Sequence, residues 1–290
     1  LTATRAPEPA VSDEDFSFDT VLDAASEEDG DTAQTAKLTG YYITTTMLAS
    51  GVDQVRAALS QADDYNAVMV DVKSIFGSFY YSTAISGAAK ATVLDIKQVD
   101  QLIAELAQQK GVTLIARVPA FSDPEYALKH QSQALPLYNG ALWTDEHDCY
   151  WLNPYSNDVQ GYLTSIALEL AGLGFDEVLF DDFYFPDSDR ISWTGSVTKQ
   201  EAILDAADNL SANLLNQSIR LDLGTSDPEV AAYASRVFIA TNNASQIDSD
   251  KETLADAIPD PAAGIVYITD SRDTRFDACG AMRPLLDETE

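Results

Sequence analysis

The sequence predicts an α/β fold, a (β/α) barrel of the TIM type, and three observations lead there. Short runs that are apolar on both faces, such as NAVMVDV (66–72), VTLIARV (112–118) and DEVLFDD (176–182), alternate with helical patterns. That alternation is the mark of a parallel sheet covered by helices. Seven such runs can be placed, each followed by a helix or loop that serves as a crossover between parallel neighbours. No G-x-G-x-x-G follows the first strand and no P-loop occurs, which removes the main support for a doubly wound, nucleotide-binding sheet.

LTGYYITT (38–45) is the first strand, and VDQVRAALSQA (52–62) follows with apolar residues at helical spacing. After strand two (66–72), VDQLIAELAQQKG (99–111) reads as a helix ending on lysine and glycine, a C-terminal signal, and leads into strand three. SNDVQGYLTSIALELAGLG (156–174) is a long helix capped near Ser156 or Asn157 and stopped by glycine before strand four. A helix over 198–216, strands IRLDLG (219–224) and RVFIA (236–240), a helix DKETLADAI (250–258) and a strand GIVYIT (264–269) complete the series. The chain beyond Asp222 is short for three further βα units, so the barrel is expected to be incomplete or abbreviated in its C-terminal half. Residues 1–37 carry SDEDFSFD and SEEDGD with little periodic apolar pattern, and read as an acidic linker or stalk ahead of a barrel domain over 38–290.

At 290 residues and 46% hydrophobic, the chain can bury one large core or two modest ones. The formal net charge of −30 argues against nucleic acid and anionic membranes as partners, because phosphate would be repelled. No stretch approaches the roughly 20 apolar residues of a membrane span. The opening LTATRAPEPA has neither a basic nor an apolar signal region, so any signal or anchor lies outside this numbering. Cys149 and Cys279 exclude a disulfide framework and leave either two buried thiols or a single bridge. His130 and His147 are the only histidines; a multi-histidine zinc site is out, and neither lies near a nucleophile elbow. No metal or other cofactor is expected.

The functional face of a barrel lies at the C-terminal ends of its strands. There the sequence places Asp71 and Lys73 after strand two, Arg117 after strand three, Asp181 and Asp182 after strand four, and Asp222 after strand five. Neighbouring strands stand about 4.8 Å apart, so Asp181 and Asp222 could hold their carboxyls at the roughly 5–9.5 Å that glycoside hydrolysis uses. One carboxyl, its pKa raised, protonates the leaving oxygen; the other, held ionised by a nearby arginine, attacks or activates water. Each aspartate also has a plain reading, since aspartate is common where strands turn into loops. Alternation sends Asp181 and Asp182 to opposite faces, and apolar Leu179 and Phe180 leave periodicity unable to choose between them. Tyr41, Tyr42, Tyr80, Tyr81, Trp143, Trp151, Phe183 and Tyr184 lie near the same rim. They are candidate sugar-stacking faces or simply core, and Trp143 and Trp151, in the polar loop after strand three, are the best stacking candidates.

Taken in order, these segments resemble a known family. Its pattern of G-I-Y-x-T, then N-A-V-V-I-D-V-K, is met by GYYIT (40–44) and NAVMVDVK (66–73), with Gly77 and Tyr80 following. I-A-R-x-x-x-F-x-D-P is met by IARVPAFSDP (115–124), W-x-N-P-Y by WLNPY (151–155), and G-F-D-E-I-x-F-D-Y-I-R-F-P by GFDEVLFDDFYFP (174–186). The chain thus resembles the DUF4015-like family of proposed glycoside hydrolases, a TIM-barrel domain formerly of unknown function. The resemblance implies action on polysaccharide at the cell exterior by a secreted or surface-attached protein. It selects Asp181 as the strand-four acid, matches Asp71 and Arg117, and matches Asp222 more loosely. Asp182 replaces a family tyrosine, Tyr184 an arginine, and Ser74 and Ile75 two acids; IATNNASQID stands where the family has P-M-x-Y-P-S-H-Y.

The expectation is therefore a glycoside hydrolase using Asp181 with Asp222 or Asp71. Asp181 faces the mouth and Asp182 caps the loop. Arg117, Lys73, Tyr42, Trp143, Trp151, Asn153, Asp182 and Tyr184 contact a carbohydrate. The alternative is a degenerate barrel that binds glycan without cleaving it, and a purely structural surface domain is the third reading.

Overall fold

The computed structural model describes residues 36–286, and the expected acidic linker over 1–37 falls outside them but for its last two residues. Eight parallel strands close into a barrel: β1 (Thr39–Ile43), β2 (Ala67–Asp71), β3 (Thr113–Pro119), β4 (Glu177–Asp181), β5 (Arg220–Gly224), β6 (Arg236–Ala240), β7 (Ile265–Ile268) and β8 (Gly280–Pro284). The barrel is complete, which settles the expectation of an incomplete one. Its eighth strand, GAMRP, holds a glycine, an arginine and a proline and has no apolar run to announce it; it pairs with β1 in the register Thr39↔Ala281.

The abbreviation lies in the connections. The first half carries α1 (Thr45–Ser50), α2 (Val52–Gln61), α3 (Ile96–Leu106), α4 (Pro124–Lys129) and the long α5 (Asn157–Gly172), and α6 (Lys199–Leu214) follows β4. After β5 come only one-turn α7 (Pro228–Ala231), then α8 (Ile247–Leu254) and one-turn α9 (Pro261–Gly264), and β7 reaches β8 through a 3₁₀ turn, Thr274–Ala278. Local chemistry starts the long helices: the Ser156 hydroxyl accepts from the Val159 N–H, and Thr198 with Glu201 forms a capping box.

Side chains that point into the barrel follow period-two alternation. Ala67 and Met69 of β2, Ile115 of β3, Leu179 of β4, Phe238 of β6 and Met282 of β8 pack together as the inner core. Two residues on from Met69, Ile115 and Leu179 stand Asp71, Arg117 and Asp181, so the same alternation carries these three to the mouth. Beneath the core the barrel floor is ionic. Glu177 receives Arg236 Nε at 3.1 Å and Arg220 Nε at 3.1 Å, and Arg236 Nη1 also donates to the Ala36 carbonyl at 2.9 Å.

Candidate active site

Strand pairing sets Asp71 beside Arg117 and Pro119 beside Asp181. From there Arg117 joins both acids: Nε donates to Asp181 Oδ2 at 2.7 Å, Nη2 lies 2.5 Å from the same oxygen, and Nη1 lies 3.5 Å from Asp71 Oδ1. Burial alone would lower the pKa of Arg117, but the charges of Asp181 and Asp71 reverse this and raise it, so the guanidinium is permanently charged.

Asp182 is the surprise of this end of the barrel. β4 stops at Asp181, and Asp182 takes a left-handed backbone with φ of +52°. Strand alternation therefore no longer applies, and both acids address the mouth. Its N–H donates to Asp181 Oδ1 at 3.0 Å. A non-glycine residue in this region is uncommon and costs on the order of 1 kcal/mol, a strain typical of functional positions, and aspartate tolerates it better than most. Burial first, and then the charge of Asp181, push the Asp182 carboxyl up from 3.8 to about 6. Space for the pair comes from β5: a Cβ at Gly224 would lie 2.3 Å from Asp181 Oδ1 and 2.9 Å from Asp181 Cα. Gly224→Ala is expected to displace the end of β4, with a fall in melting temperature and activity that Gly172→Ala, where nothing lies within 4 Å, does not share.

Three cavities meet at Asp182. The central one, about 410 Å³, is lined by Asp71, Arg117, Asp181, Thr46, Phe76 and Tyr80. A second, about 380 Å³, is walled by Trp143, Asp145, His147, Trp151 and Tyr184. The third, about 430 Å³, lies over β5 and β6 between Tyr184, Thr225, Asp227 and Phe238.

The other expected site residues divide. Tyr184 is 48% exposed and its ring stands 5.1 Å from that of Trp151. Trp143 and Trp151 do border the second cavity, but they are buried edge to face, and Trp151 Nε1 is spent on Asp145 at 2.8 Å; they back the wall rather than offer an open face. Lys73 is a correction. It borders the central cavity, but its ammonium is buried, ion-paired with Asp123 at 3.0 Å and bonded to the Ser122 carbonyl, so its charge ties two loops together instead of facing a ligand. Asn153 uses its side chain to accept from the Tyr155 N–H, a local turn, and borders none of the three cavities. The Tyr42 hydroxyl donates to Asp270 at 2.6 Å, also outside them.

Asp222 also sits elsewhere than expected. It pairs in register with Leu179, one layer below Asp181, and is fully buried beside Glu177. Burial and the Glu177 charge raise its pKa well above the ordinary range. Against the cost of burial, contacts with Asp222, Arg236 and Arg220 hold Glu177 low. Asp222 is thus a neutral acid in the barrel interior, out of reach of anything at the mouth. A raised folded pKa gives stability that is present below the unfolded value and lost as pH rises through the folded one. Asp222→Asn is accordingly expected to raise the melting temperature at alkaline pH relative to wild type and to leave activity intact.

Thr46, Phe76, Asp145 and Asp227 border the cavities without having been expected there; all lie in loops or helix starts, where no periodicity points to a site. Among the described residues no group of three or more His, Cys, Asp or Glu could hold a metal ion, and Cys149 and Cys279 are free and buried.

The DUF4015 family model, described as a putative glycosyl hydrolase domain, matches residues 40–255, which include every rim residue above. The chain belongs to this family. No curated protein matches this DUF4015 chain. Among solved structures, a hypothetical protein from Ruminiclostridium thermocellum is 28% identical with a TM-score of 0.54, over 63% of this chain and 96% of that one. Ega3 from Aspergillus fumigatus, solved in complex with galactosamine, is 14% identical with a TM-score of 0.52, over 87% and 92%. A family 20 exo-β-N-acetylglucosaminidase from Vibrio harveyi, in complex with N-acetylglucosamine, is 12% identical with a TM-score of 0.56, over 80% of this chain and 41% of that one. At such low identity these last two speak for the barrel fold that the DUF4015 domain shares with glycoside hydrolases.

Proposed function

We propose that this DUF4015 domain hydrolyses glycosidic bonds of an extracellular or cell-wall polysaccharide, with Asp182 as proton donor and Asp181 as its ionised partner. The observation that carries the reading is the pair itself. One carboxyl, pushed up to about 6, is the common border of three cavities, and its neighbour is bound to a partly buried arginine. Two such environments on adjacent acids separate the roles of acid and base.

Asp182 gives its proton to the glycosidic oxygen as the C–O bond breaks. Asp181 meets the charge developing at the anomeric carbon, either as nucleophile or by accepting a proton from water. One water is consumed, and its hydroxyl ends on the new reducing sugar. Arg117 fixes Asp181, and Asp71 fixes Arg117 from the other side.

Charge narrows the substrate to neutral or amine-bearing glycans. Arg117 and Lys73 are the cationic side chains of the central cavity, and both are taken by aspartates, so a uronate would meet Asp71, Asp181 and Asp182 with no cation left to receive it. The test is reducing-end release from a panel of neutral, amino-sugar and uronic-acid polysaccharides by wild type and Asp181→Asn. Release from a neutral or amino-sugar polymer that Asp181→Asn loses is expected; equal release by both forms, or release from the uronate alone, contradicts the reading. A second reading, glycan binding without cleavage, is favoured by one observation: both Asp181 oxygens already accept hydrogen bonds, from Arg117 and from the Asp182 N–H.

A further inference from the structure

The three cavities have a consequence for the shape of the substrate. The central cavity shares Ile75 and Asp182 with the second and Asp181 and Asp182 with the third; the second and third share Asp182 and Tyr184. The carboxyl pair therefore lies at a junction, with room leading away from it in more than one direction. Each cavity is by itself within the roughly 300–1,000 Å³ of a small-molecule site. A pocket that trims single sugars from a chain end closes behind one ring; this arrangement does not. Two large aromatic side chains flank the junction in the open: Tyr184, 48% exposed, between the second and third cavities, and Phe76, 58% exposed, on the central one. They stand on the loops after β4 and β2. Tyr184 leans on Trp151 with ring centres 5.1 Å apart and still leaves about half of its surface open, and an aromatic face offers a sugar ring its apolar side at low entropic cost.

We infer that the mouth is a through-groove that holds a polysaccharide with sugar units on both sides of Asp182, so that internal bonds are cut, and that Tyr184 and Phe76 are its stacking platforms. This rests on the glycoside hydrolase reading for the cutting, but not for the groove. The test is a binding experiment with the full chain carrying Asp181→Asn, or with wild type at pH 8 should that variant fail to fold. The probes are arrayed linear oligosaccharides of one to eight units in β-glucan, N-acetylglucosamine and glucosamine series. Affinity in the responding series is expected to rise at least about 10-fold from two units to six, as successive rings are engaged. Tyr184→Ala and Phe76→Ala each should weaken the six-unit probe about 3- to 10-fold, the range for one aromatic contact. Tyr138→Ala, at a residue 77% exposed that borders none of the three cavities, should not.

A disaccharide bound as tightly as the hexamer overturns the groove, as does absence of binding in every series, or a Tyr184→Ala variant that behaves like Tyr138→Ala. The two claims fail separately. Length-dependent binding with no hydrolysis keeps the groove and removes the enzyme, whereas hydrolysis with length-independent binding keeps the enzyme and removes the groove.

Discussion

Arg117→Ala is expected to destabilise the barrel by about 3 kcal/mol and to abolish activity. The guanidinium is the cation that Asp71 and Asp181 share, at 3.5 Å and 2.5 Å, and all three side chains are three-quarters or more buried. Removing one partner of a buried ion pair leaves an uncompensated charge, which typically costs 3–5 kcal/mol. Here two neighbouring carboxylates lose the cation they share, and their partial access to water moderates the loss. Urea denaturation near neutral pH measures it. Adding Asp71→Asn should restore part of the stability, because one of the two repelling charges is gone, and this non-additivity separates an electrostatic role from mere packing. Arg117→Lys should recover charge but not activity, since an ammonium lacks the planar fork that reaches both aspartates. A stable, active Arg117→Ala variant would show that the acids need no cation.

Asp182→Asn is expected to move activity and stability in opposite directions. Loss of a general acid lowers turnover about 10²- to 10⁴-fold. Stability rises instead, and the sign follows from linkage. The carboxyl is raised from 3.8 to about 6 in the folded chain, so protonation favours the fold; that contribution is full below the unfolded value and fades as pH climbs through 6. Above pH 6 the wild type holds a half-buried charge beside Asp181 that asparagine does not. At about 1.4 kcal/mol per unit, discounted for partial solvent access, Asp182→Asn should be more stable by about 2 kcal/mol at pH 8 and nearly equal at pH 4. Asparagine also tolerates the left-handed backbone found here. Urea midpoints at the two pH values check this. A variant less stable at pH 8 would mean that the Asp182 charge is welcomed by its surroundings.

Much of the architecture could be read from residues because it follows from burial. Seven strands carry apolar runs closed on both faces; the choice of Asp181 over Asp182 comes from the family resemblance, because apolar Leu179 and Phe180 leave periodicity undecided. What escaped has identifiable physical causes. β8 owes its place to pairing with β1 and β7, and hydrogen-bond register leaves no trace in the composition of GAMRP. Asp222 looked like a rim acid because β5 runs two residues past it, and those two residues amount to a layer of barrel core. Lys73 looked available because its partner, Asp123, comes from a loop about fifty residues on. The role of Asp182 turned on one dihedral angle: alternation sends it away from the mouth, and a positive φ at a residue other than glycine, which no sequence pattern announces, brings it back. The platforms Phe76 and Tyr184 stand on separate loops that only the closed barrel brings to one groove.

The central claim is that Asp182 delivers the proton, and the pH dependence of reducing-end release by wild type, with Asp182→Asn run in parallel, tests it most directly. The expected profile of kcat/KM falls above about pH 6 as Asp182 ionises, and the variant shows little release at any pH. A wild-type profile flat through pH 6 to 8, or an Asp182→Asn variant with the same alkaline limb, would contradict the account and assign the proton to another group.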